Sequence, residues 1–237
     1  MSVGYALIMA ASVTVGFLAA KWSQTLLPLS KKQKLTIALG AYAGAMIGAK
    51  LPFVFSDWDA LVSGVAWFSS GKTILCGLVG GYFGVEIAKW CLDLKIKTGD
   101  TFAVPVPLAV AVGRLGCYYA ECCYGTPTSL PWGVVFPTVD DVPRHPTQLY
   151  EALFHLACAV LLAWLRDRHA FPRQLIKLYI IMYSAFRIAT EFIRPEARIW
   201  GGFTGYQAAA LVIIGLFVWL WYRDAAATPK PIAQPAA

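Results

Sequence analysis

Apolar residues in this chain come in long, nearly unbroken runs, and not with the spacing of a half-buried soluble helix or strand. Seven stretches have this character, approximately residues 3–20, 35–55, 73–92, 101–120, 147–165, 174–193 and 203–222. A helix needs about 20 mostly apolar residues to cross the hydrocarbon of a bilayer. Backbone polar groups in lipid must be bonded within their own segment, and the runs lack the alternation a membrane β-barrel would need. The pattern predicts an all-α integral membrane protein with seven transmembrane helices. Pro105 and Pro107 predict an irregular start to the fourth span. The Pro- and Gly-containing segment 121–146 reads as ordered turns, and no strict internal repeat is visible. Residues 1–224 are read as one membrane domain and 225–237, ending PKPIAQPAA, as a disordered Pro/Ala-rich tail. The opening MSVGYALIMAAS has neither a basic start nor a small-residue cleavage site, so it reads as a retained span.

Composition agrees with this class. Of the 237 residues, 58% are hydrophobic and only 14% charged, about half the charged share of a soluble domain. The net charge is +7, and its distribution is informative. Lys21, Lys31, Lys32, Lys34, Lys89, Lys95, Lys97, Arg166, Arg168, Arg173 and Lys177 follow the first, third and fifth spans, and Arg223 and Lys230 follow the last. The opposite side has only Lys72, Arg144, Arg194 and Arg198. Basic loops stay cytoplasmic. The N-terminus is therefore expected outside and the C-terminus in the cytoplasm, with loops 56–72, 121–146 and 194–202 facing outward. The same loops account for the positive charge, so the expected partner is the lipid bilayer and not nucleic acid.

Lys50, Glu86, Arg114, Glu151, Arg187 and Glu191 fall in or near the spans. Long side chains near an interface can snorkel, which suits Lys50 and Glu86. Arg114 and Arg187 both lie toward the outer ends of their spans, at one expected depth. An arginine at mid-membrane costs at least ~2.5 kcal/mol, so two at one level call for a reason. One is ion pairing with Glu151 or with Glu191, four residues after Arg187 and on the same helix face. The other is phosphate binding, for which the planar guanidinium fork is well matched. The two are compatible, and a phosphate site inside an outward-facing bundle suggests a phospholipid headgroup.

A polar group surrounds the start of the fifth span: Arg144, His145, Gln148, Tyr150 and Glu151. Pro146 suits a helix entry, with Thr147 or His145 near the cap. His145 also reads simply as a turn histidine bonded to backbone. Of six cysteines, Cys76, Cys91 and Cys158 lie in apolar stretches and read as small hydrophobes. Cys117, Cys122 and Cys123 cluster on the expected oxidising side, where a 117–122 disulfide is conceivable. Their C-x4-C-C spacing lacks the paired ligands of a structural metal site, and no metal is expected.

The segments GRLG (113–116), YGTPTSLPWGVVFP (124–137), RHPTQLYEALF (144–154), YSAFRIATEFIR (183–194) and GGFTGYQ (201–207) occur in the order found in prolipoprotein diacylglyceryl transferases. The chain resembles that family strongly over residues 110–222 and weakly before, through YALIM (5–9) and GLVGGYFGVEIA (77–88). The resemblance implies a seven-span bacterial inner-membrane enzyme with its site near the outer leaflet. It would move the diacylglyceryl group of phosphatidylglycerol to a thiol, the lipobox cysteine of a prolipoprotein, and release glycerol 1-phosphate. Arg114 and Arg187 match the family's two essential arginines. Tyr183, Glu191 and Arg194 complete the pattern around the second, Gly125 closes the signature, and Tyr5 matches a tyrosine of the first span. Arg144, Gln148 and Tyr150 are expected beside the substrate. Three positions depart: Leu75 stands where the family has histidine, Cys117 where it has asparagine and Cys122 where it has glutamate. Without that histidine, His145, Glu121 and Glu191 are the candidate bases, and Cys117, Glu121 and Cys122 are placed on the acceptor side. No cofactor is called for. The departures leave open another acceptor for the same lipid, or a phospholipid-binding or transport protein without catalysis.

Overall fold

The computed structural model describes residues 2–56 and 73–226; the predicted 56–72 loop and the tail from 227 lie outside the described residues, apart from Ser56. The helices are α1 (Val3–Ser23), α2 (Lys31–Ser56), α3 (Ile74–Cys91), α4 (Pro105–Tyr119), α5 (Thr147–Asp167), α6 (Leu175–Thr190) and α7 (Gly205–Ala226). Six helical segments are long and apolar enough to cross a membrane, α4 being counted with the short 3₁₀ turn before it, from Gly99 to Tyr119. Helix α6 has 16 residues and falls short of that length. It breaks at Thr190 into a 3₁₀ turn, Glu191–Ile193, where the sequence predicted a span running to 193. The all-helical expectation also misses two antiparallel hairpins: β1 (Val134–Phe136) with β2 (Asp140–Arg144), and β3 (Arg198–Trp200) with β4 (Phe203–Thr204). Helix α7 continues through Ala226, two residues into the expected tail.

The helices pack antiparallel in pairs. Helices α2 and α3 lie closest, because glycines face each other at four-residue spacing. A Cβ built on Gly44 would lie 2.2 Å from the Gly80 carbonyl oxygen, and one on Gly84 would lie 2.1 Å from that of Gly40. In lipid, where apolar burial drives little association, such small-residue seams let backbones touch. Helix α1 runs against α4, with Gly4 under the Tyr119 ring and Ser12 donating to the Ala109 carbonyl at 2.7 Å. Pro105 and Pro107 open α4 after the 3₁₀ turn Gly99–Thr101, in line with the predicted irregular start. The main core joins α5, α6 and α7 through Leu162, Tyr179, Ile180, Tyr183, Ala210 and Phe217.

Alternation of direction gives the bundle two unlike ends. At one, basic residues dominate: Lys97 and Lys177 meet Asp224 at 2.8 and 2.7 Å, and Arg166 lies over the Trp22 ring. At the other lie both hairpins and the convergence of α4, α5 and α6. Lys50 is buried, and Glu86 stays partly exposed beside Lys89 at 2.7 Å. Helix α5 is capped by Pro146 with no side-chain bond, so neither Thr147 nor His145 acts as the cap; Thr147 Oγ1 donates to the Cys123 carbonyl instead.

Candidate active site

Helix α4, helix α6 and the residue after its terminal 3₁₀ turn bring three arginines to one carboxylate on α5. Glu151, 1% exposed and one turn into α5, accepts from Arg187 Nη1 at 3.2 Å and from Arg194 Nη1 at 3.3 Å. Its Oε2 lies 3.0 Å from Arg114 Nε and accepts from the Tyr183 hydroxyl at 3.4 Å. Glu191 takes the other edge of Arg187, at 2.6 Å from Nη2, and accepts from Thr204 Oγ1 at 3.0 Å. The i,i+4 spacing of Arg187 and Glu191 permits this even though the helix gives way to a 3₁₀ turn. The Tyr206 ring, at the start of α7, lies 5.2 Å from the Arg187 guanidinium carbon. The ion pairing that the sequence offered as one reading of Arg114 and Arg187 is thus present, with both carboxylates, Glu151 and Glu191, taking part.

The cluster forms one wall of a cavity of about 340 Å³. Arg114, Glu151, Tyr183, Arg187, Arg194 and Tyr206 line its polar side, with Cys123, Thr73 and the exposed Glu196; Phe53, Ile74 and Leu75 supply apolar surface. Among the buried groups, three guanidiniums face two carboxylates, and the exposed Glu196 adds a third carboxylate to the lining. Donors are spare. Arg114 Nη2 and Arg194 Nε are buried with no hydrogen-bond partner among the described residues, and Arg114 Nε sits near Glu151 without hydrogen-bond alignment. A cationic surface with unmet donors beside an apolar wall suits an anionic amphiphile.

The remaining expected site residues have other occupations. Arg144 forks onto Asp140 at the other end of β2, holding the Asp140 carboxyl below its usual range, and lies over the Tyr124 ring. Gln148 donates to the Cys122 carbonyl at 2.6 Å. His145 Nδ1 meets the Tyr150 hydroxyl at 3.3 Å, and that hydroxyl accepts from Trp132 Nε1 at 2.9 Å. Glu121 accepts from Thr138 Oγ1 at 2.6 Å and from its amide at 2.8 Å, contacts that hold its carboxyl below the ordinary range and make it a weaker base. Gly125 is required by crowding, since a Cβ there would lie 2.6 Å from the Ile193 carbonyl oxygen and 2.7 Å from His145 Cβ. Tyr5 packs toward Gly116 of α4. None of these residues lines the cavity. Most of them hold the 121–146 segment and the start of α5 together, and Tyr5 lies on α1.

The six cysteines are free, including the pair 117 and 122 for which a disulfide was conceivable. Arg114 Nη1 donates to Cys117 Sγ at 3.6 Å. Contact with the thiols of Cys117 and Cys122, reinforced by the charges of Arg114 and Arg194, holds the Cys123 thiol well below the ordinary cysteine range; the same contacts push Cys122 up. Two contributors escaped the sequence reading. Tyr206 sits in GGFTGYQ, a segment that marks the family resemblance without singling out this ring. Glu151 was noted as a charge near a span, in the polar group and as a possible ion-pair partner, but its central place depends on three helices converging.

A family model described as prolipoprotein diacylglyceryl transferase matches residues 3–223. Curated relatives carry the name phosphatidylglycerol–prolipoprotein diacylglyceryl transferase. That of Pseudoalteromonas atlantica is 31% identical over 94% of this chain and 88% of its own length. That of Clostridium tetani is 28% identical over 88% of this chain and 90% of its own. That of Legionella pneumophila strain Corby is 35% identical over 60% of each.

Proposed function

The chain belongs to the prolipoprotein diacylglyceryl transferase family, and we propose that its arginine cavity is where phosphatidylglycerol gives up its diacylglyceryl group to the cysteine thiol of a prolipoprotein. The observation that carries this reading is the set of buried, unmet guanidinium donors on Arg114 and Arg194 at the wall of a cavity that also offers apolar surface. The oxygens of a phosphodiester would accept from those donors.

The chemistry follows from the charges. The acceptor sulfur attacks the glyceryl carbon next to the phosphate, the carbon–oxygen bond breaks, and glycerol 1-phosphate leaves with a second negative charge developing on its phosphate. Donors fixed in advance around that phosphate favour the transition state over the bound lipid, often the largest single catalytic contribution. Arg114 offers the unmet donors. Arg187, clamped by Glu151 and Glu191 and faced by Tyr206, is held in place at little entropic cost. The cationic field would also lower the pKa of an incoming thiol, which eases the demand on a separate base. Phe53, Ile74 and Leu75 offer the acyl end of the lipid an apolar path.

Seven spans, with α6 as the short one, and an outside N-terminus complete the reading. Basic residues gather at the end opposite the cavity, which supports a cytoplasmic position for that end and an outer-leaflet position for the site in the bacterial inner membrane. The test is an assay of the purified protein in phosphatidylglycerol vesicles with a lipobox peptide. The expected products are a thioether-linked diacylglyceryl peptide and one glycerol 1-phosphate per turnover. Binding of the lipid with release of neither product would overturn the reading.

A further inference from the structure

Cys117, Cys122 and Cys123 form a cluster that the transfer reaction does not use. Their three sulfurs all lie within 4.8 Å of one another, and Cys122 Sγ and Cys123 Sγ are 3.8 Å apart. A tetrahedral zinc–thiolate centre with bonds of about 2.3 Å requires sulfur–sulfur edges of about 3.8 Å.

The C-x4-C-C spacing argues against a site on a single regular helix, but the chain is not regular there. Helix α4 ends at Tyr119, and Glu121 and Cys123 both adopt left-handed backbone, with φ of 49° and 64°. Non-glycine residues enter that region at a cost, so surrounding bonds must hold them. These bonds are present. The Cys122 amide donates to the Cys117 carbonyl at 3.0 Å, Gln148 Nε2 to the Cys122 carbonyl at 2.6 Å, and Thr147 Oγ1 to the Cys123 carbonyl at 2.6 Å. The backbone of both loop cysteines is thereby tied to α4 and α5, and the thiols are brought together without a bond between them. Electrostatics suit the same occupant. Three thiolates around a divalent cation carry one net negative charge, and Arg114 already donates to Cys117 at 3.6 Å.

We propose that Cys117, Cys122 and Cys123 form a three-sulfur site for a soft d10 cation, Zn²⁺ or Cu⁺, cross-linking the end of α4 to the loop that supplies Cys123 to the cavity wall. Thiolate ligands select such ions over hard cations. A water molecule would complete four ligands for Zn²⁺, whereas three sulfurs suffice for Cu⁺.

The test uses the full-length protein in detergent, reduced with a phosphine, stripped with chelator and titrated anaerobically with Zn²⁺ or Cu⁺. Metal is counted per chain, and cysteine alkylation is mapped by mass spectrometry. The expected result is one ion per chain for at least one of the two metals. Cys117, Cys122 and Cys123 should then be protected from alkylation, while exposed Cys91 reacts at an unchanged rate. The triple variant C117S/C122S/C123S should lose stoichiometric binding. Unchanged alkylation of the three thiols on metal addition overturns the site without needing any variant. So does binding that persists in the triple variant, or recovery of a disulfide among the three after anaerobic reduction. These readouts do not involve lipid transfer and stand apart from the fate of the transferase reading.

Discussion

Arg114 Nε lies 3.0 Å from Glu151 Oε2, yet the approach is not aligned for a hydrogen bond, and Arg114 Nη2 is buried with no partner among the described residues. Arg187, by contrast, is bonded at both terminal nitrogens. Glu151 thus holds one arginine firmly and another loosely. The loose one keeps capacity for a further acceptor, and the firm one is fixed beside it.

This asymmetry separates the two arginines in kinetics. Arg114→Ala is expected to lower kcat by about 10²–10³, the usual loss when one fixed donor to a developing oxyanion is removed. Arg114→Lys keeps the charge and loses the planar fork, so it should recover only part of that loss. Steady-state rates of glycerol 1-phosphate release in vesicles, with the yield of folded protein as control, give the answer. Equal rates for Arg114→Ala and the parent protein would remove Arg114 from the site.

Glu151 should behave as a structural anchor more than as a base. Glu151→Gln leaves three guanidiniums facing only Glu191 among the buried carboxylates. Removing one partner of a buried ion pair costs about 3–5 kcal/mol. The expected outcome is a clearly lowered thermal midpoint in detergent, partly restored by added phosphatidylglycerol, whose phosphate supplies negative charge in the same cavity. A variant as stable as the parent, with no response to the lipid, would contradict the anchoring role of Glu151.

What the sequence made legible follows from the energetic cost of each feature. Arg114 and Arg187 were readable because charge in lipid is expensive and demands a partner or a ligand. The spans were readable because their length is set by the bilayer. Helix α6 is the exception, since it gives way to a 3₁₀ turn where Glu191 pairs back to Arg187 and Arg194 reaches Glu151. Both hairpins were invisible: strands of two to five residues leave almost no periodic signal. The thiol cluster was obscured for a related reason. Helical spacing sets Cys117 near residue 121, and only two left-handed residues bring 122 and 123 into reach. Arg144, His145, Gln148 and Tyr150 carry donors and acceptors suited to a ligand, and nothing in their types reveals that the loop itself consumes them.

The glycine seam between α2 and α3 should tolerate no side chain. Gly84→Ala places a methyl group at 2.1 Å from the Gly40 carbonyl oxygen, which is backbone and cannot swing aside. The helices must separate or shift, at about 1–3 kcal/mol by analogy with overpacked cores. Gly215→Ala in α7 is the matched control, because a Cβ there meets nothing within 4 Å. Thermal midpoints of the two variants should differ in that order. Identical midpoints would mean that the seam does not bear on stability. The seam also positions the cavity's apolar wall, since Phe53 lies on α2 and Ile74 and Leu75 on α3, so Gly84→Ala should raise KM for the lipid more than it lowers kcat.

Acid should release the loop that carries Cys123, through Glu121. Its carboxylate accepts the hydroxyl and amide of Thr138, and those bonds hold its folded pKa below the ordinary glutamate value of 4.5. A lowered folded pKa means that the tether's contribution is complete above the ordinary value and is lost as pH falls through the lowered one. Hydrogen exchange at the Thr138 amide reads this directly. Corrected for the intrinsic rate, protection should stay level from neutral pH down to the ordinary glutamate range and fall only below it. In Glu121→Ala the protection should be low at every pH, because the acceptor is gone. A parent protein whose protection falls already between pH 7 and the ordinary glutamate value would mean that another group governs the loop. Strong protection in the alanine variant would mean that the hairpin holds Thr138 without Glu121.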